Sequence, residues 1–454
     1  MKPTSLTTLL AALVVPAMGT SLPRGSADMD SVRQNNYLLG FRDQVTSHVV
    51  PMVAHPAPAS GESLRRRQNG MTRLTNVRDF YYIIEVELGK QKIPLHLDTG
   101  SSDTWMVRDP FECVNIPGMG VRTVPNCGFT SGFQGEPSGG IVPNFEFARA
   151  YGDGTFATGF FGLEDVTIGG LVAHNQRVGF VNYTLWNGDG RSAGLMGLGY
   201  PYLTSLDIGG EEVKAQLYDP VFTTLWRSKT IPPVFSVALS RFGDQSAGRP
   251  KDAVNTKGIE SFLALGGLPP VAIDEGSWGR TPLLPMDVLK KWGFKGQGER
   301  GFYAIAADAY VFGSRKGGVG TASEEGLSRN TSQFPVVVDI GSTDTILPNV
   351  LIKQLYAAFD PPAEYRSHQG RFWAKCGAKV PEFGITLGGK TFLFAPEDLL
   401  RQSERDPTGE WCRIGVYDGY DSEMPILGVS FLSNVLAVFD VEKHEMRFAQ
   451  RTKY

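Results

Sequence analysis

Cysteine is scarce, with four residues in a chain of 454. Cys113, Cys127, Cys376 and Cys412 contain no Cys-x-x-Cys pair and form two groups far apart, which argues against a zinc cluster. Long apolar runs are missing too. The stretch Leu9 to Met18 is too short to cross a bilayer, and His444 to Tyr454 is not apolar, so neither a membrane anchor nor a lipid-anchor signal is expected. Long amphipathic helical patterns are few, which disfavours a helical domain. The charge balance is mildly acidic, net −3, without a basic stripe, and nucleic acid is an unsuitable partner. His444-Glu445 lacks the second histidine of a metalloprotease helix. No metal or organic cofactor is called for.

Glycine and proline, by contrast, are plentiful at 54 and 29 residues, the punctuation of many short strands and tight turns. The expected class is all-β, and the length favours two lobes over one core. Lys2, the apolar run and the small residues Gly19, Thr20 and Ser21 read as a signal peptide over residues 1–20. Secretion is expected, with an acidic vacuole as the alternative destination. A Pro- and Ser-rich leader follows, and ends in Arg65-Arg66-Arg67-Gln68. Arg66 and Arg67 suit a processing protease, which predicts a propeptide over 21–67 and a mature chain from Gln68.

Charge supports that division. Residues 1–67 hold seven Lys or Arg against four Asp or Glu, net +3, leaving 37 against 43, net −6, for the rest. A basic leader on an acidic body can be held at neutral pH and released as carboxylates protonate. His48 and His55 add charge to the leader on acidification. In a secreted chain four cysteines imply disulfides, with three possible connectivities. Closure of local loops, Cys113–Cys127 and Cys376–Cys412, is expected. Asn182-Tyr183-Thr184 and Asn330-Thr331-Ser332 are glycosylation acceptors, at Asn182 and Asn330.

Two segments carry the chemistry. Leu95-His96-Leu97-Asp98-Thr99-Gly100-Ser101-Ser102 and Val336-Val337-Val338-Asp339-Ile340-Gly341-Ser342-Thr343 are apolar strands that end in Asp-x-Gly-Ser. One copy is ordinary turn vocabulary. Each, however, is followed by an apolar-apolar-Gly element, Leu195-Met196-Gly197 and Ile426-Leu427-Gly428. A duplicated architecture that brings two carboxylates to one water explains the pattern, because a dyad sharing a proton supplies both proton functions of peptide hydrolysis. The protons belong to the pair, so the sequence does not say which partner is charged.

With these motifs the chain resembles the pepsin-like aspartic proteases, of the secreted fungal type, over about Phe80 to Phe448. The resemblance implies a bilobal fold of two related β-barrel-like lobes around a cleft, residues 68–250 and 251–454, each with one catalytic aspartate. It makes Asp98 and Asp339 catalytic, with Thr99, Gly100, Ser101, Gly341 and Ser342 as loop support. Ser101 is to bond the outer oxygen of Asp98. Arg149-Ala150-Tyr151-Gly152-Asp153-Gly154 matches the flap, with Tyr151 over the substrate, Gly152 at the hairpin tip, and Trp105 positioning the tyrosine. Asp153 could favour a basic side chain beside the scissile bond, but one exposed charge contact is worth only about 0–1 kcal/mol and ranks below an apolar preference. The implied product is a monomeric endopeptidase, made as a zymogen, whose partners are protein or peptide substrates, its own propeptide and a processing protease.

One departure bears on activity. The family has Thr or Ser after the second aspartate, where its hydroxyl reaches across to the opposite loop; here Ile340 keeps the branched shape and loses the hydroxyl. A rival reading of another class is therefore a pepsin-like protein that binds or inhibits without cleaving. Both aspartates, Tyr151, Ser101 and the leader argue for the enzyme. Gly190-Arg191-Ser192-Ala193-Gly194 also fits a serine-hydrolase pattern, but no alternating β/α rhythm surrounds it. The segment Gly313 to Ser332 is expected to be a solvated loop. A buried backbone group without its partner costs about 1–3 kcal/mol. Ile340→Thr is therefore expected to raise the melting temperature in a thermal unfolding scan; a lower value counts against the lost contact.

Overall fold

The computed structural model describes residues 44–56, 80–114, 121–123, 128–152, 154–186, 189–204, 217–240, 261–294, 299–313, 326–367, 370–419 and 424–452. The signal peptide, Arg66, Arg67, Cys127 and Asp153 lie outside the described residues. The protein is built almost wholly of strands. In chain order the elements that place the site are β1 (Val49–Pro56), β2 (Phe80–Leu88), β3 (Gln91–Asp98), β4 (Thr104–Val114), β5 (Ile141–Ala150), β6 (Phe156–Ile168), β7 (Leu171–Leu185) and β8 (Gly194–Gly197). They continue with β9 (Val234–Ala238), β10 (Ser261–Leu265), β11 (Gly279–Pro282), β12 (Ala304–Ala306), β13 (Pro335–Val338), β14 (Thr345–Pro348), β15 (Ile426–Leu427), β16 (Val435–Asp440) and β17 (Glu445–Gln450).

One sheet spans both halves of the chain, in the order β11-β17-β16-β9-β10-β1-β2-β3-β8-β4-β7-β6-β5. Its middle is continuous because β1 pairs antiparallel with β10, Val50 opposite Leu263, and with β2, Val53 opposite Ile83. Period-two alternation explains its fit: Val50, Met52 and Ala54 point into the core while Val53 faces out. β1 thus lies within the leader expected over 21–67, yet it is paired along its whole length, Val49–Met52 with β10 and Val53–Pro56 with β2.

The repeat visible in the sequence becomes the same motif twice. β3 ends at Asp98 and pairs in parallel with β8, Asp98 opposite Gly197; β8 then pairs antiparallel with β4, which leaves the same turn. In the second half β13 pairs in parallel with β15, Val338 opposite Leu427, and β15 pairs with β14 at Ile346. Each glycine-bearing strand is therefore threaded between the two arms of an Asp-x-Gly-Ser turn. Only glycine fits there. A Cβ on Gly197 would meet the Ser102 backbone at 2.6 Å, and one on Gly428 the Asp344 carbonyl oxygen at 2.2 Å.

The apolar residues of β3 and β8, with Val336 and Val338 of β13, are buried in one core to which Ile340 also belongs, while Val337 packs in a smaller cluster with Leu284 and Met286. Cys376 and Cys412 form a disulfide, and Cys113 is also disulfide-bonded. The segment expected as a loop over Gly313–Ser332 is in part a strand: Leu327–Asn330 pairs with Ala309–Gly313, Tyr310 opposite Asn330. Its charged and polar side chains hid the strand, because they lie on an edge that faces solvent. No helix among the described residues is long and apolar enough to cross a membrane.

Candidate active site

The two Asp-x-Gly-Ser turns meet face to face. Asp98 and Asp339 are buried, each 6–7% exposed. A Cβ on Gly100 would lie 2.8 Å from the Asp339 carboxyl carbon, and one on Gly341 2.5 Å from Asp98 Oδ1. Each glycine thus leaves the space into which the opposite carboxylate fits. Within each turn the same bonds recur. The Gly100 amide donates to Asp98 Oδ1 (2.7 Å) and the Gly341 amide to Asp339 Oδ1 (2.8 Å). The Ser101 hydroxyl donates to Asp98 Oδ2, and the Ser342 hydroxyl to Asp339 Oδ2 (2.7 Å).

Electrostatics then separates the partners. Burial holds the Asp339 carboxyl well above the usual carboxylate range; the Asp98 charge and a hydrogen bond between the two add to the shift, against the donors Ser342 and Gly341. Protonation of the pair is thus favoured at Asp339, while the titration belongs to both carboxyls together.

Thr99 reaches across from the first turn to the second. Its hydroxyl donates to the Val338 carbonyl (3.0 Å) and accepts from the Ile340 amide (3.0 Å). Ile340 returns no such bond. It is fully buried in the core, and Ile340→Thr replaces its ethyl branch by a hydroxyl, so loss of the terminal methyl alone forfeits about 0.5–1.5 kcal/mol of apolar contact. That is close to the size of the hydrogen-bond gain, and the rise in melting temperature expected for Ile340→Thr shrinks accordingly.

The segment expected as the flap is the β5–β6 hairpin. The Tyr151 amide bonds to the Thr155 carbonyl (2.9 Å), and Gly154 takes a left-handed conformation at φ +85° that suits glycine. Gly152 has open space around it. Trp105, on β4, donates from its indole N–H to the Tyr151 hydroxyl (2.6 Å) and so fixes the flap ring to the strand that leaves the first catalytic turn. Burial pushes the Tyr151 phenol far up, so it stays a neutral donor.

Several residues at the site were not singled out from the sequence. Trp186 packs edge-on against Trp105 (5.2 Å) and Tyr151 (5.3 Å), and Phe129 stacks on Trp186 at 6.3 Å. Asp103 and Asp344, five residues past Asp98 and Asp339 respectively, are buried. Asp103 accepts from the Tyr218 hydroxyl and pairs with Arg149 of the flap strand at 3.5 Å. Asp344 pairs with Arg413, with Arg401 (2.9 Å) and with Arg371 (3.5 Å). Burial pushes its carboxyl up, but the three guanidinium groups overcome this and hold it below the usual range. A signal existed: the extended repeat Asp-x-Gly-Ser-Ser/Thr-Asp-Thr is identical in spacing in both halves. Ser192 of the serine-hydrolase pattern is buried in a turn before β8, and its amide donates to Asp189.

The model of the eukaryotic aspartyl proteases matches residues 81–250 and 304–451. The chain belongs to the eukaryotic aspartyl protease family. It is 32% identical to a probable aspartic-type endopeptidase of Aspergillus fumigatus over 372 residues, 81% of this chain and 78% of that one. It is 25% identical to rhizopuspepsin-3 of Rhizopus niveus over 97% of this chain and 98% of that one. In fold it is similar to the crystal structure of the aspartic proteinase from Irpex lacteus, with a TM-score of 0.57 at 17% identity, covering 89% of this chain and 97% of that one. This aspartyl protease is thus an aspartic-type endopeptidase in kind, with peptide substrates implied by its family.

The proton on Asp339 has a consequence for stability. Its folded pKa lies above the unfolded 3.8, so its contribution is fully present below about pH 4 and is lost as pH rises toward the folded value. Asp339→Asn removes that loss. Thermal unfolding is expected to give the variant a higher melting temperature than the parent at pH 7 and a smaller difference near pH 3.5; an equal difference at both would contradict the raised pKa.

Proposed function

We propose that the chain is a secreted endopeptidase, made as a zymogen, that hydrolyses peptide bonds at acidic pH with the Asp98/Asp339 dyad. The observation that carries this reading is the mutual fit of the two carboxylates, each filling the space left by the opposite glycine, with the proton held on Asp339. Asp98, ionised, takes a proton from a water held between the carboxylates as the water oxygen attacks the peptide carbonyl. Asp339 gives its proton to the carbonyl oxygen, and the tetrahedral intermediate forms without free charge on that oxygen. Collapse transfers a proton to the leaving nitrogen and restores the dyad. Raising the pH strips the proton from Asp339 and stops the cycle, which accounts for an acidic working range. Tyr151, held by Trp105, closes over the cleft and excludes solvent.

Secretion rests on the N-terminal sequence, and the leader reading gains support from β1. With its first half paired to β10 and its second half to β2, the strand of residues 49–56 binds the leader to both lobes by backbone bonds that do not titrate. The charge contrast between leader and body adds a pH-dependent part. The lobes divide between β9 and β10, with residues 68–250 and 251–454 as the two units. Asn182 and Asn330 remain glycan acceptors in this reading, and Cys127 the partner of Cys113.

Two measurements test it. Processed enzyme is expected to cleave a denatured protein at pH 3–5, and Asp98→Asn and Asp339→Asn each to lose activity by roughly 10²–10⁴. Folded, processed protein inactive at every acidic pH would favour the non-cleaving rival. Separately, a peptide of residues 21–67 added to processed enzyme is expected to bind more tightly at pH 7 than at pH 4. Equal affinity at both would remove the electrostatic part of autoinhibition.

A further inference from the structure

With Ile340 in place of a hydroxyl, the second turn cannot reach back to the first, and the first turn needs another tie to the C-terminal lobe. The structure assigns that tie to Tyr303: we propose that it is a positioning residue that locks the two catalytic turns together from the C-terminal side. Tyr303 immediately precedes β12, and both of its ends are engaged. Its phenol donates to the Leu198 carbonyl at 2.7 Å. Leu198 directly follows Gly197 of β8, and its amide donates to the carbonyl of Asp98 itself at 2.8 Å. The backbone carbonyl of Tyr303 accepts from the Val338 amide at 2.9 Å, one residue before Asp339.

These bonds close a circuit. The Asp98 carbonyl holds Leu198, Leu198 holds the Tyr303 hydroxyl, and the Tyr303 carbonyl holds Val338. The Val338 carbonyl then accepts from the Thr99 hydroxyl at 3.0 Å, and Thr99 is joined to Asp98 by a peptide bond. Every link but one is backbone or the threonine already described. The exception is the Tyr303 phenol, the one side chain from the C-terminal lobe in the circuit. Without it the first turn stays attached to its own lobe through β8, but the circuit between the lobes is open.

The phenol is placed with little freedom. Tyr303 is 1% exposed, and its ring lies edge-on to Phe439 (4.8 Å) and Phe235 (5.7 Å), with Tyr200 tilted against it at 5.1 Å. Phe235 and Phe439 stack on one another at 4.4 Å, from paired strands β9 and β16 of the sheet that joins the lobes. Tyr200 in turn accepts the Ser102 hydroxyl at its carbonyl, which brings the far side of the first turn into the same cluster. A hydroxyl held by rings from this sheet transmits the position of one lobe to the other without a rotamer to search.

This inference rests on the Asp98/Asp339 assignment, and its test separates the two. Tyr303→Phe keeps the ring and removes only the hydroxyl. It is expected to lower kcat about three- to tenfold with KM unchanged, the effect of one hydrogen bond felt in the transition state. Loosened carboxylates repel less, so the two apparent pKa values approach one another and the bell of kcat/KM against pH narrows from both sides. A merely structural role would lower the melting temperature and leave the bell alone.

The same change is then made beside Ile340→Thr, which by the symmetry of the turns supplies a second crossing hydroxyl. There the loss is expected to fall below about twofold. A Tyr303→Phe enzyme with unchanged kcat and bell overturns the proposal, as does an equal loss in both backgrounds. Failure to fold in both backgrounds also overturns it; failure in the Ile340 background alone supports it. An inactive parent would instead sink the dyad assignment.

Discussion

The structure depends on keeping two carboxyl groups in contact inside a protein. Like charges at that distance repel, and burial removes the water that would screen them. The chain meets the constraint by raising the Asp339 carboxyl through burial, which favours a proton on the pair, and by surrounding both groups with donors: a glycine amide and a serine hydroxyl for each. The arrangement is expensive in free energy and needs a scaffold that does not relax. The duplicated turn, the threaded glycine strand and the sheet joining the lobes are all consequences of that need.

Glycine does most of the steric work. Gly100 and Gly341 open the space for the opposite carboxylate, while Gly197 and Gly428 let a strand pass against the backbone of each turn. These are close approaches of backbone or carboxylate, where even a methyl group would collide. Around this backbone frame the two lobes differ. The first turn is joined to the flap through Asp103 and Arg149, an ion pair that ties the lid's strand to the catalytic loop. The second is held from behind by three arginines on Asp344, two of which also reach Glu404. A pair of buried carboxylates at matched positions thus joins the β5 strand on one side and an arginine cluster on the other.

The crossing between the turns shows how a lost contact is replaced by a different one. Thr99 spans the interface from the N-terminal lobe in one step, by a side chain adjacent to the dyad. The return path runs through a tyrosine thirty-seven positions upstream in numbering from Ile340, reaching a backbone carbonyl next to Gly197. The two devices are chemically equivalent, a hydroxyl donating to a main-chain oxygen, but not related by the duplication.

Much of this was legible in the sequence, because it is carried by local patterns. The apolar strand ending in Asp-x-Gly-Ser, its repetition, the flap's Tyr151-Gly152, and the consequence of Ile340 are statements about neighbours in the chain, and so is the pair Cys376–Cys412 across a short loop. Other features were hidden for stated reasons. The strand Leu327–Asn330 is polar because it lies at an edge, and β1 reads as leader because its fit in the sheet depends on strands far away. By itself the sequence determined the family and the mostly-β class, and it pointed to the two aspartates of the repeated turn. Only the tertiary structure decided that burial raises the Asp339 carboxyl, that Trp186 packs against Tyr151, and that Tyr303 closes the circuit. Each of those depends on burial or on an approach between residues far apart in sequence, and no local pattern encodes either.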